Sequence, residues 1–177
     1  MVNFGELLGK TKTKKSTDPL EIFKNLDKLP GKEYLWPPQE AVLREWNLNH
    51  RNKKDTIVKL HTGQGKTLIG LLMLQSCINE GNGPALYVCP NNYLVDQIIK
   101  EAQSYDIKTV KFDGGPIPQS FRNSEAILVC NCNKLFNGKS VFGVRGTLGK
   151  EIVQIGSIVI DDAHKCLEII RIFHYFC

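Results

Sequence analysis

His61-Thr62-Gly63-Gln64-Gly65-Lys66-Thr67 follows the apolar run Thr56-Ile57-Val58-Lys59-Leu60 and precedes Leu68-Ile69-Gly70-Leu71-Leu72. A strand, a glycine turn and a helix in that order decide how the rest of the chain is read. Glycines let backbone N–H groups close on an anion with no Cβ in the way. The helix beginning near Lys66 aims the positive end of its dipole at the same place. A second stretch, Ile158-Val159-Ile160-Asp161-Asp162-Ala163-His164, sets an acidic pair at the end of an apolar strand. The first stretch is built to grip phosphate and the second to hold a divalent cation.

Gly65-Lys66-Thr67 between a strand and a helix has the spacing of a P-loop. In that geometry His61, Thr62, Gly63, Gln64 and Gly65 surround the phosphates of a nucleoside triphosphate. Lys66 meets the β and γ phosphates, and the Thr67 hydroxyl is a ligand to Mg²⁺. Leu60 stands five positions before Gly65, where the usual pattern opens on glycine or alanine. Asp161 is placed to hold Mg²⁺ through its water shell, and Asp162 to orient and deprotonate an attacking water. By itself such a pair reads as a turn or a helix cap; the loop upstream gives it chemistry. The expected catalytic residues are therefore Lys66 and Asp162, and the expected metal ligands Thr67 and Asp161.

Outward from the loop, apolar strands alternate with helices. Asp18-Pro19 opens a first helix with an apolar stripe of Leu20, Ile22, Phe23 and Leu26, closed by Leu29-Pro30-Gly31. Pro37-Pro38 starts a second, from Gln39 to about Asn49, with Ala41, Val42, Leu43 and Trp46 toward the core. Thr56–Leu60 is the first strand, and the helix after the loop runs from Lys66 to about Asn79, apolar around most of its circumference. Ala85–Cys89 precedes a helix from Tyr93 to Tyr105. Lys108–Phe112, Ala126–Cys130 and Ser157–Ile160 complete the expected strands, with a short helical piece near Leu135 and a final helix through Leu167, Ile169, Ile170 and Phe173. Residues 137 to 150 read as a glycine-rich basic loop. Continuous apolar strands between helices predict an α/β fold, a mostly parallel sheet with helices on both faces.

A chain of 177 residues is one such domain, here 35–177, plus a basic arm and helix, 1–34. No apolar run is long enough to span a bilayer, and no membrane partner is expected. Cysteines at Cys89 and Cys130 fall in buried strands as small hydrophobes, and Cys130-Asn131-Cys132 is spaced too tightly for a zinc site. That usage predicts a reducing, intracellular compartment. The net charge of +5 permits a polyanionic partner without requiring one. Lys10, Lys12, Lys14 and Lys15 read as a solvated arm or as contacts to phosphates.

These motifs resemble the first RecA-like domain of superfamily 2 helicases, the DEAD/DEAH-box group, over roughly residues 35 to 167. Asp161-Asp162-Ala163-His164 resembles the Asp-Glu-Ala-His signature with Asp162 in place of glutamate, and Thr62–Thr67 matches Thr-Gly-x-Gly-Lys-Thr. The resemblance implies a RecA-like P-loop NTPase fold, ATP and Mg²⁺ as cofactors, and Gln39 as the reader of adenine. Pro90-Asn91-Asn92-Tyr93-Leu94-Val95-Asp96-Gln97 is similar to the motif Pro-Thr-x-x-Leu-x-x-Gln that touches a nucleic-acid backbone. Gly114-Gly115 resembles the glycine doublet of the same surface, and Asn131 to Lys134 stands where a Thr-Pro-Gly-Arg-like motif is usual. The implied nucleic-acid residues are Pro90, Asn91, Gln97, Gly114, Gly115 and Asn131, with DNA or RNA as partner.

Family members use two RecA-like domains, the second supplying an arginine finger. The sequence ends at Cys177, so that domain is expected outside it, in further polypeptide or another subunit. Two other functions remain open on the sequence: a P-loop metabolite kinase, for which Lys139 to Lys150 with Arg145 is a thin lid, and a non-catalytic ATP-sensing or assembly subunit.

Overall fold

The computed structural model describes residues 15–136, 140, 142 and 152–174. The expected arm from Lys10 lies outside these, Lys15 excepted, as do most of the 137–150 loop and the side chains beyond Arg171.

Helix α1, Pro19–Lys24, starts as Asp18-Pro19 predicts: Asp18 Oδ1 accepts from the Leu20 N–H at 2.8 Å. Helix α2, Pro37–Glu45, opens on the proline pair, and one π-turn, Trp46–His50, continues it. Gln39, Leu43 and Trp46 point inward at i, i+4 and i+7. Ala41, expected in the core, is exposed because it falls on the opposite side of that stripe. The Arg51 guanidinium lies 4.7 Å from the Trp46 ring and bonds Asn47 Oδ1, tying the π-turn to its own exit. Helix α3, Lys66–Glu80, buries Leu68, Ile69, Leu71, Leu72 and Leu74 and ends at Gly81 in the left-handed region.

Then come β1, Ala85–Cys89; α4, Asn92–Ser104; β2, Thr109–Lys111; and a short α5, Gln119–Arg122, inside what the sequence marks only as loop. Strand β3, Ile127–Asn131, leads to α6, Cys132–Leu135, and β4, Ser157–Ile160, to α7, Ala163–His174. The sheet order is β2-β3-β1-β4 and every pairing is parallel. Leu86 sits beside Leu128 on one side and Ile158 on the other. Ala85, Tyr87 and Cys89 face a core shared with α1 to α4; Leu86 and Val88 face a second core holding Phe112, Phe121, Cys132 and Cys166. Phe142 is buried in that second core, edge-on to Phe112 and Phe121, so part of the expected loop is anchored. This is an α/β fold of the RecA-like class, its sheet covered on both faces. No helix among the described residues is long and apolar enough to cross a membrane.

A larger expectation also fails. Thr56–Leu60 forms no strand and joins no ladder, and Ile57 is 95% exposed. Strand β4 is the outer strand beside β1, with Ile158 and Ile160 half-exposed. An apolar β-branched run makes a segment compatible with a strand; only a neighbour at about 4.8 Å makes it one.

Candidate nucleotide site at the carboxyl edge of the sheet

The glycine loop is shaped by two left-handed residues, Gly63 (φ +84°) and Gly65 (φ +68°). Gly65 is the residue before α3, and no side chain caps that helix. Its first N–H groups are therefore left for another acceptor. His61, Thr62 and Gly63 are exposed, while Gln64, Gly65, Lys66 and Thr67 are half-buried. The Lys66 ammonium folds back on its own loop, donating to the carbonyls of Leu60 at 3.3 Å and His61 at 3.4 Å. These are long bonds to neutral acceptors, which an anion would readily displace.

Gln39 is buried between α2 and the loop. Its Oε1 accepts from the Trp36 N–H at 2.9 Å, and its Nε2 donates to the Gly65 carbonyl at 3.3 Å. It thus caps its own helix and touches the phosphate loop at once. A cleft of about 200 Å³ opens beside it, lined by Lys32, Tyr34, Trp36, Glu101 and Tyr105.

Asp161 is half-buried where β4 ends and Asp162 is exposed beyond it. The Asp161 N–H donates to Val88 O at 2.8 Å, carrying the strand pairing one step further. Its carboxylate is fixed at both oxygens: Oδ1 accepts from the Asp162 N–H at 2.9 Å, and Oδ2 from the Tyr87 hydroxyl at 3.2 Å. Asp162 holds φ at +45°, which turns the chain sharply from strand into α7. The Thr67 hydroxyl acts on both Tyr87 and Glu101, favouring the charged form of each. The loop's threonine and the strand's aspartate therefore both act on Tyr87, the aspartate through a hydrogen bond.

Burial holds the Tyr87 hydroxyl protonated well above the usual phenol range, and the Asp161 charge adds to this. Burial likewise raises the Glu101 carboxyl, opposed by the Lys32 charge and reinforced by that of Asp161. Neither Tyr87 nor Glu101 was among the residues the motifs marked. The signal for Tyr87 was present: a phenol inside a five-residue apolar strand needs a polar partner.

The residues expected to meet nucleic acid gather at the same carboxyl edge. Pro90 is buried directly after β1. Asn91 caps α4, its Oδ1 accepting from the Leu94 N–H at 3.0 Å. Asn131 caps α6 through Lys134 N at 3.1 Å and donates to Asn92 Oδ1 at 2.6 Å, linking the two helix starts. Gly114 and Gly115 follow β2 in exposed, left-handed backbone. Lys134 joins them, its Nζ donating to Asp113 O at 2.7 Å, though the weak motif match gave it no role. Gln97 lies further along α4 on its exposed side.

Residues 33–176 match the family described as type III restriction enzyme, res subunit. The chain is also similar to an ATP-dependent rRNA helicase, SPB4, of Encephalitozoon cuniculi, 29% identical over 124 residues. It is 30% identical over 88 residues to the ATP-dependent DNA helicase Hel308 of Thermococcus kodakarensis. Those alignments take in 64% and 49% of this chain but 26% and 8% of the two relatives, so the chain spans a minor part of either. No solved structure matches. With the match running over most of the chain, the protein belongs to the res-subunit family, the N-terminal ATP-dependent helicase-type domain of superfamily 2.

Proposed function

We propose that this chain binds ATP with Mg²⁺ and forms the nucleotide-binding half of a nucleic-acid helicase or translocase. The observation that carries the reading is that Tyr87, bonded through its hydroxyl to Asp161 of the acidic motif, packs against the helix that the phosphate loop opens. The donor set fits the group: an uncapped helix start, a lysine bonded to two carbonyls of its own loop, and a half-buried carboxylate where β4 ends.

In this reading the N–H groups from Gly63 to Thr67 and the Lys66 ammonium hold the phosphates. Thr67 and Asp161 hold the metal, and His61, Thr62 and Gln64 close the loop around the phosphate chain. Mg²⁺, when bound, neutralises charge on the β and γ phosphates and fixes their orientation. Gln39 supports the loop through Gly65 and lies beside the cleft that suits a purine. Asp162 accepts the proton of the attacking water. It is one methylene shorter than the family's glutamate, which predicts slow hydrolysis. A second RecA-like domain, from further polypeptide or a separate subunit, completes the reaction centre. Pro90, Asn91, Gln97, Gly114, Gly115 and Asn131 meet the sugar-phosphate backbone of DNA or RNA, with Lys134 beside them.

The test is titration with a fluorescent ATP analogue. Wild type is expected to bind in Mg²⁺, and Lys66→Ala to lose on the order of 10- to 100-fold in affinity, the worth of a charge-assisted contact to phosphate. Equal affinity in the two proteins would remove the loop from the site. Strand displacement by the chain alone at an ordinary helicase rate would remove the need for a second domain.

A further inference from the structure

Tyr87 occupies a position at which its ring and its hydroxyl have separable jobs. The ring is 1% exposed and fills the space between β1 and α3. A Cβ placed on Gly70 of α3 would come within 2.9 Å of Tyr87 Cε2 and 3.1 Å of Val159 Cγ1, so helix, ring and outer strand are in close contact there. Packing of that kind needs an aromatic ring and nothing more. The hydroxyl emerges toward the carboxyl edge of the sheet, donating to Asp161 Oδ2. Asp161 Oδ1 is already held by the Asp162 N–H. One bond leaves a carboxylate free to rotate about its Cβ–Cγ axis; two bonds on different oxygens fix its plane.

We infer that Tyr87 is a positioning residue, which holds the Asp161 carboxylate in one orientation so that a divalent cation meets a preset oxygen. This rests on the proposed nucleotide site and adds to it a residue that touches neither phosphate nor metal. Groups that orient metal ligands typically govern 10- to 100-fold of metal affinity. A phenol bonded to one carboxylate oxygen, with the other oxygen held separately, belongs at the low end of that range.

The experiment compares wild type with Tyr87→Phe, which keeps the ring, using a fluorescent ATP analogue in Mg²⁺ and in EDTA. The quantity read is the ratio of the two affinities. The expected result is a fall of about 10-fold in that ratio, with affinity in EDTA unchanged within about twofold. A residue that only packs would shift both affinities together and leave the ratio intact, and that outcome overturns the inference. A second arm uses Asp161→Asn, in which the carboxylate is gone. There, adding Tyr87→Phe is expected to change the ratio no further, whereas an undiminished effect also overturns it. If wild type binds no nucleotide, or binds equally well in EDTA, the proposed site itself fails and the inference goes with it.

Discussion

Gln39 Nε2 donates to the Gly65 carbonyl, and the approach is so close that a Cβ on Gly65 would collide with that same nitrogen. Gly65 also holds φ at +68°, where a side chain costs about 1–2 kcal/mol. Gly65→Ala is therefore expected to lower stability by about 2 kcal/mol and to weaken nucleotide binding by more than 10-fold as the loop shifts. Adding Gln39→Ala relieves the collision, so the double variant is expected to be less destabilised than the sum of the singles. Urea melts of the four proteins read the coupling, and simple additivity would show that the two residues do not meet.

Arg51 ties the N-terminal segment to the phosphate-loop helix. Its Nη2 donates to Thr17 O and Ser76 Oγ at 2.5 Å and to Asn47 Oδ1 at 2.7 Å, while Nη1 reaches Glu80 at 3.1 Å. Ser76 is fully buried. Arg51→Ala is expected to destabilise by about 2–4 kcal/mol through lost hydrogen bonds and lost packing on Trp46. Arg51→Lys recovers little, because an ammonium cannot reproduce the fork. Equilibrium denaturation checks both. A loss below about 0.5 kcal/mol, the usual range of a surface change, would mean the network contributes little.

Backbone protection separates strands that are paired from the one that is not. Amides of Ile57 to Leu60 are expected to exchange with solvent at nearly unprotected rates, because no ladder engages them. Amides of Tyr87, Val88, Val129 and Cys130, in the two fully buried strands, should exchange only on global unfolding. Hydrogen exchange resolved by residue decides this, and slow exchange at Val58 and Lys59 would place that segment in the sheet after all.

The thiols of Cys89 and Cys130 are buried, and burial pushes both up to about 12. At pH 8 the thiolate fraction is then on the order of 10⁻⁴, and thiolate is the reactive form. Stability gained from keeping these groups neutral is present below the ordinary thiol value of 9.0 and is lost as pH climbs toward 12. Native protein is expected to leave both cysteines unlabelled by a thiol reagent at pH 8, with Cys77, only half-buried, reacting first among the described cysteines. Mass mapping of the label tests the order.

Asn91 caps α4 through its side chain, so its substitution has a structural cost apart from any contact with nucleic acid. Asn91→Ala is expected to cost about 1 kcal/mol, and Asn91→Ser only a few tenths, since serine caps as well. If the backbone reading of this edge is right, both variants also bind single-stranded nucleic acid more weakly than wild type. Thermal melts and a binding titration separate the two effects, and equal stability of all three would show that the cap is not made in solution.

The sequence alone carried the phosphate loop, the acidic pair and the strand–helix alternation that makes a parallel sheet. Those are local signals: glycine where φ must be positive, proline and aspartate at helix starts, apolar runs of strand length. It also carried the helix cap at Asp18 and an end for α3 near Asn79. Which apolar runs pair was not local. Thr56–Leu60 looks like a strand residue by residue, and only the absence of a laddered neighbour keeps it out of the sheet. Only the fold could show that Tyr87 of β1 meets Asp161 at the end of β4, because the two stand together through parallel register. A motif fixes which chemistry a residue can do. The register of the strands decides which residues stand close enough to do it together.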